Sequence, residues 1–244
     1  MTLNLSQSVL KRRVFNQGVY NSHSRDFMLG QTAPFIKKDG VVLDVGAAVG
    51  MYTQFWACLA NHVYSFEAVP PVYDQLKLVE SKNANVTAFN IAVGAEDKDK
   101  VDFYVDDKRL SNSGLRNLVG GQKISVPMKK LDTLFSPDLN RYDRSICFIK
   151  IDVEGNELDV LKGGEQLIDA LHPTIMCEIY PKFNDGPVIN TFNFLFDRGY
   201  RCFYNVPKRG LQPVTDADHG ATVAGDAKLI SQHDGDFLFT HGSD

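Results

Sequence analysis

The first chemistry legible in the chain is the run Asp44-Val45-Gly46-Ala47-Ala48-Val49-Gly50. Glycines at this density let a backbone pass close to a ligand, and a helix starting after them aims unpaired N–H groups at it. The spacing selects among ligands. A dinucleotide cradle needs a second glycine two residues after the first and a third three residues later. Counted from Gly46, those positions hold Ala48 and Met51, so a diphosphate is poorly served. An acid just ahead of the first glycine, Asp44, suits a ligand with a cationic amino acid moiety.

Glu67 is the second part of the pattern. It closes the apolar segment His62-Val63-Tyr64-Ser65-Phe66, where a carboxylate can accept both hydroxyls of a ribose, as the equivalent acid does in an NAD site. A solvated acid at a strand end is the plain alternative; the glycine loop upstream favours the ribose role. The third part is Phe148-Ile149-Lys150-Ile151-Asp152-Val153-Glu154-Gly155-Asn156-Glu157. Acids at a helix start serve the helix dipole, which accounts for Glu154 and Glu157 but leaves Lys150 and Asp152 unexplained. A lysine inside an apolar strand requires a buried partner, and these acids are the simplest one. Glu178, within Ile175-Met176-Cys177-Glu178-Ile179, must be hydrogen-bonded or face a cleft.

These residues need elements to position them. Apolar runs at 41–45, 62–66, 86–93, 146–151, 174–179, 201–205 and 236–240 read as strands. Helical periodicity runs from Met51, from Pro70, through Leu158, Leu161, Leu167, Ile168 and Leu171, and through the stretch before Gly199, with Gly163-Gly164 breaking or bending the third of these helices. Strand–helix alternation predicts an α/β, doubly wound, Rossmann-like sheet, with the acids at the carboxyl edge where such sheets bind ligands. Residues 1–35 read as an N-terminal helical extension and 36–244 as one domain. Val101–Val105 and Lys123–Met128 alternate like strands around a polar stretch, whose Ser111, Asn112, Ser113 and Arg116 are candidate acceptor contacts. Residues 207–235 form a long polar segment, either a lid or locally disordered.

Composition narrows the class. The chain has 244 residues, 43% hydrophobic and 23% charged, with a formal net charge of -4, the profile of an ordinary soluble globular protein. Only Lys11-Arg12-Arg13 clusters basic charge, so nucleic acid is not expected as the partner. No stretch has the length of a membrane span, and no membrane role is expected. The four cysteines form no Cys-x-x-Cys pair. They read as reduced thiols of a cytoplasmic protein. No pattern specifies an oligomeric state.

The glycine loop, the Phe66-Glu67 strand end, Asn90-Ile91-Ala92-Val93-Gly94, Leu131-Asp132-Thr133-Leu134, Lys150-Ile151-Asp152-Val153-Glu154-Gly155-Asn156-Glu157 and Leu161-Lys162-Gly163 together resemble FkbM-type methyltransferases, in order from about Val41 to about Gly199. Members commonly carry Glu-Pro at the second strand end, where this chain has Glu67-Ala68-Val69-Pro70. The resemblance implies a class I methyltransferase fold of seven strands with the last antiparallel. It also implies S-adenosylmethionine as donor and O-methylation of a small-molecule acceptor, a sugar or polyketide hydroxyl. The expected cofactor contacts are Asp44, Gly46, Ala47, Ala48, Gly50, Tyr52, Thr53, Glu67, Ala68, Ala92 and Asp152. The expected reacting end is Asp152, Glu154, Glu178 and Lys150, with Glu154 as base. No metal is expected, because no histidine joins the acids and Lys150 already brings positive charge. An NAD(P)-linked oxidoreductase and a non-catalytic methyltransferase-like module are the rival classes.

Overall fold

The computed structural model describes residues 30–105, 113–115, 122–135, 145–184, 186–206, 209–215 and 235–242. Its strands are β1 Val41–Val45, β2 His62–Phe66, β3 Val86–Phe89, β4 Ala92–Val93, β5 Lys98–Val105, β6 Gln122–Lys129, β7 Ile146–Ile151, β8 Thr174–Glu178, β9 Tyr200–Val206, β10 Gly210–Pro213 and β11 Asp236–His241. The helices are α1 Met51–Ala57, α2 Pro70–Lys82, α3 Leu131–Leu134, α4 Glu157–Gly163, α5 Glu165–Leu171 and α6 Ile189–Phe196.

β1 and β7 are buried at every position, the mark of central strands covered on both faces. Alternate residues serve opposite faces. Val41, Leu43 and Val45 join Ile149, Ile151, Ile175 and Phe237 in a core with Leu161, Ile168, Phe192 and Leu195 of α4, α5 and α6. Val42, Val63, Phe148, Met176 and Leu238 point the other way, against Phe55 and Trp56 of α1. Trp56 also donates to Thr32 Oγ1 at 3.1 Å, which fixes the start of the described chain to that face.

Among the described residues the main sheet has eight strands in the order β10-β9-β11-β8-β7-β1-β2-β3. The strands from β3 to β8 run parallel, and β11 is antiparallel to both β8 and β9. Without β10 this is the expected seven-stranded arrangement with its last strand reversed. The added strand comes from within the segment 207–235: Gly210–Pro213 folds back on β9, and four residues are too few for periodicity to register.

A second difference lies at 86–93. The run divides, with β3 in the main sheet and β4 paired to β6 in a separate three-stranded sheet. The cause is Asn90, whose side-chain amide donates to the carbonyls of Glu67 and Ala68 at 2.8 and 3.0 Å, so a side chain takes over where the ladder would continue. The strands expected at 101–105 and 123–128 are β5 and β6 of that second sheet. The Leu131-Asp132-Thr133-Leu134 motif is structural: Asp132 accepts the N–H groups of Gln166 and Leu167 at the start of α5. Most of the expected 1–35 extension lies outside the described residues, as do Lys11-Arg12-Arg13, Ser111, Asn112, Arg116 and 216–234. No helix among the described residues is long and apolar enough to cross a membrane.

Candidate functional site

Register brings the first group together. Asp44 on β1 is the Cα partner of Ser65 on β2 and of Lys150 on β7, and the three side chains share the α1 face. Thr53 of α1 reaches into this row: its hydroxyl donates to Asp44 Oδ2 at 2.6 Å and lies 2.9 Å from Ser65 Oγ. Lys150 Nζ stands 3.3 Å from Asp44 Oδ1 and 3.3 Å from Asp152 Oδ2. It donates to the Gly46 carbonyl at 2.9 Å and lies 5.3 Å from the Tyr52 ring centroid, a cation–π distance. Burial disfavours the ammonium, but Asp152, Asp44 and Glu178 outweigh it and raise the lysine pKa above its ordinary value.

One residue further along each strand, a cavity of about 700 Å³ opens at the carboxyl edge. It lies where chain order reverses between β1 and β7, the switch point at which open α/β sheets take ligands, and its size suits a small-molecule site. Gly46, Ala47, Ala48, Gly50, Tyr52, Glu67, Ala68, Ala92, Lys150, Asp152, Glu154 and Glu178 all line it. Asp44 and Thr53, expected to touch a ligand, sit behind the wall: both are fully buried, and they support Lys150 instead of facing the cavity.

The glycine loop is shaped for close approach. Gly46 has φ +75°, and a Cβ there would fall 1.8 Å from the Asp152 carbonyl oxygen, so the loops after β1 and β7 touch only because the residue is glycine. Glu67 ties the glycine loop to the chain after β2. Its carboxylate accepts the N–H of Ala48 at 3.0 Å and of Val69 at 2.8 Å. Burial raises its pKa against those bonds and the Lys150 charge. A carboxylate oxygen has two acceptor sites, so each of these retains one for a ligand hydroxyl.

Three acids meet in the cavity. Asp152, Glu154 and Glu178 each offer a carboxylate oxygen, all within 4.8 Å of one another. Glu178 is driven far above the ordinary carboxylate range by burial, then by the charge of Asp152 and a hydrogen bond to it, with Asp236 and Glu154 adding to the effect. The site therefore favours the protonated form of Glu178, hydrogen-bonded to Asp152. Asp236, the Cα partner of Glu178, also lines the cavity, and sequence reasoning missed it. No motif surrounds it; the available signal was topological, since a reversed last strand puts its first residue at the carboxyl edge of its neighbours. Ser113, with Phe103 and Leu115, forms the wall contributed from the second sheet and its neighbouring loop.

Residues 44–202 match the family model described as the methyltransferase FkbM domain. Among solved structures, an FkbM methyltransferase from Methylobacillus flagellatus KT is similar at a TM-score of 0.52 and 13% identity, over 95% of this chain and 48% of that one. This chain thus spans about half the length of that relative. An rRNA methylase from Streptococcus thermophilus gives a TM-score of 0.46 at 11% identity, covering 91% of this chain and 98% of that one. A Streptococcus mutans protein solved in complex with SAH gives 0.47 at 10% identity, covering 90% and 98%. At 13% identity the likeness to the Methylobacillus flagellatus protein speaks to fold alone. No curated protein matches the chain.

Proposed function

The chain belongs to the FkbM methyltransferase family, and on that premise we propose that it transfers the methyl group of S-adenosylmethionine to a hydroxyl of a small acceptor, a sugar or polyketide-type compound. The observation that carries this is the shared cavity: the Gly46–Gly50 loop, the Glu67 carboxylate, Asp152, Glu154 and Glu178 all line it. When bound, S-adenosylmethionine supplies a sulfonium methyl open to in-line attack.

The loop after β1 and Asp152 hold the amino acid end, Glu67 accepts the ribose hydroxyls, and Ala68 and Ala92 flank the base. Asp44 and Thr53 act one step back, through Lys150. The protein's main task is to hold the acceptor oxygen roughly 3 Å from the methyl carbon, in line with the departing sulfur. Glu154 would take the hydroxyl proton as the acceptor oxygen attacks, and the sulfonium would supply both the methyl group and the leaving group. Glu178 stays protonated and steadies Asp152. Lys150, 3.3 Å from Asp152, brings the positive charge that a cation would otherwise supply, so the reaction is read as metal-free.

The net charge of -4 favours a small acceptor over nucleic acid, whose phosphates demand a basic surface. Cys58, Cys147, Cys177 and Cys202 are all free thiols, which supports a reducing, cytoplasmic setting. The division into a 1–35 extension and a 36–244 domain is kept as part of this proposal. The test is calorimetric titration with S-adenosylhomocysteine and, separately, NAD. Binding of the first alone supports the assignment; binding of NAD alone moves the protein to the oxidoreductases; binding of neither points to a non-catalytic module.

A further inference from the structure

Glu154 sits in the left-handed region at φ +51°, and Gly155 follows at +99°. A residue with a long side chain stays there only where its surroundings hold it, and such held residues concentrate at functional sites. Two contacts hold this turn. A Cβ on Gly155 would lie 2.0 Å from the Phe183 carbonyl oxygen, so the segment after β8 packs directly on the turn. From the other side, the carboxylate of Glu157 accepts the Gly155 N–H at 2.7 Å. Glu157 is 2% exposed. Its second oxygen accepts a 3.3 Å hydrogen bond from Asn184 Nδ2, which also donates to the Tyr180 carbonyl at 3.0 Å.

An acid in the first turn of a helix has a plain structural explanation in the helix dipole. That explains a negative charge at the start of α4. It does not explain a buried side chain folded back onto the N–H two residues earlier, and gripped by an amide from another segment.

We propose that Glu157, with Asn184, is a positioning residue for methyl transfer: it holds the 154–155 turn in the left-handed form that places the Glu154 carboxylate in the cavity beside Asp152 and Glu178. This rests on the assignment of Glu154 to the reacting end. Without the clamp Glu154 relaxes to an ordinary φ, and its charge leaves the place where the ligand sulfur is held.

The test requires no acceptor. S-adenosylmethionine and S-adenosylhomocysteine differ by the methyl group and its sulfonium charge, so the ratio of their dissociation constants reports the negative charge facing the sulfur. Both are titrated calorimetrically into the wild type, Glu154→Gln, Glu157→Ala, Glu157→Gln, Asn184→Ala and the double variant Glu154→Gln/Glu157→Ala. Loss of the Glu154 charge should weaken the preference for the sulfonium about threefold or more. Glu157→Ala should do the same, and the double variant should add nothing, the signature of two residues acting as one unit. Glu157→Gln retains an oxygen for the Gly155 N–H and should stay within about twofold of the wild-type ratio although its charge is gone.

A folded Glu157→Ala with the wild-type ratio overturns the proposal. So does a Glu157→Gln that shifts as far as Glu157→Ala, because the charge of Glu157 would then be acting and not its grip. If Glu157→Ala does not fold, Asn184→Ala decides: a smaller shift in the same direction supports the clamp, and no shift overturns it. An unchanged ratio in Glu154→Gln instead removes Glu154 from the reacting end, and wild-type protein that binds neither ligand removes the cofactor assignment; either overturns the proposal.

Discussion

Asp44 and Lys150 are register partners on adjacent parallel strands, and their charges meet 3.3 Å apart with side chains 0% and 3% exposed. Lys150 also grips the Gly46 carbonyl and Asp152, so one ammonium joins the two loops that flank the cavity. Removing one partner of a buried pair strands the other, at about 3–5 kcal/mol. Lys150→Met should lose stability on that scale in urea unfolding. Adding Asp44→Asn should recover part of the loss. A Lys150→Met protein as stable as the wild type would show that the pair is not what holds these strands' ends together.

Gly46→Ala tests the loop. The added methyl meets the Asp152 carbonyl oxygen, a backbone atom, at 1.8 Å, and φ +75° is itself unfavourable for alanine. The loop must shift, and affinity for S-adenosylhomocysteine should fall at least about tenfold, or 1.4 kcal/mol. Unchanged affinity by calorimetry would place the ligand elsewhere.

Glu67→Ala removes the acceptor for two backbone N–H groups and for the ribose hydroxyls. Unsatisfied groups of this kind cost about 1–3 kcal/mol each, so S-adenosylhomocysteine should bind about 10–100-fold more weakly. Glu67→Gln, which keeps one acceptor oxygen, should lose less. Equal losses would argue that charge, not acceptance, is what Glu67 provides.

Glu178 makes stability depend on pH. Its folded pKa is raised above the unfolded value, so the folded protein holds a proton that the unfolded chain has released at neutral pH. The stability tied to that proton is complete below the ordinary glutamate range and drains away as pH climbs toward the raised value. Glu67 and Glu157, raised by burial, act in the same sense. Urea stability should therefore fall between about pH 5.5 and 8.5, by up to about 1.4 kcal/mol per pH unit for each such proton. Glu178→Gln, neutral at every pH, should flatten the slope; identical slopes would mean that Glu178 is ionised.

Glu154→Gln keeps the size and removes the base. Turnover should drop about 10²–10⁴-fold with S-adenosylhomocysteine binding retained, and a chelator should leave wild-type turnover unchanged. Near-normal turnover in Glu154→Gln sinks the base assignment. Loss of activity in chelator, restored by magnesium, would make Asp152, Glu154 and Glu178 a cation site.

By itself the sequence determined the local features. Continuous apolar runs marked β1, β2 and β7 to the residue, because a strand buried on both faces admits no polar interruption without a partner. The glycine loop, Glu67 and the acids after β7 were legible for the related reason that each breaks a local rule, a loop too rich in glycine or a charge inside an apolar run. What only the tertiary structure decided depends on contacts between distant segments. Asp44 faces Lys150 and not the cavity because strand register, 106 positions apart in the chain, sets its partner. Asp236 enters the site because the last strand runs backwards. Asn90 ends a strand by bonding to Glu67 and Ala68. The raised pKa of Glu178 follows from its burial and from Asp152 and Asp236 being brought beside it. A carboxylate's charge state depends on burial and neighbours within a few ångströms, and neither quantity exists until the chain has folded.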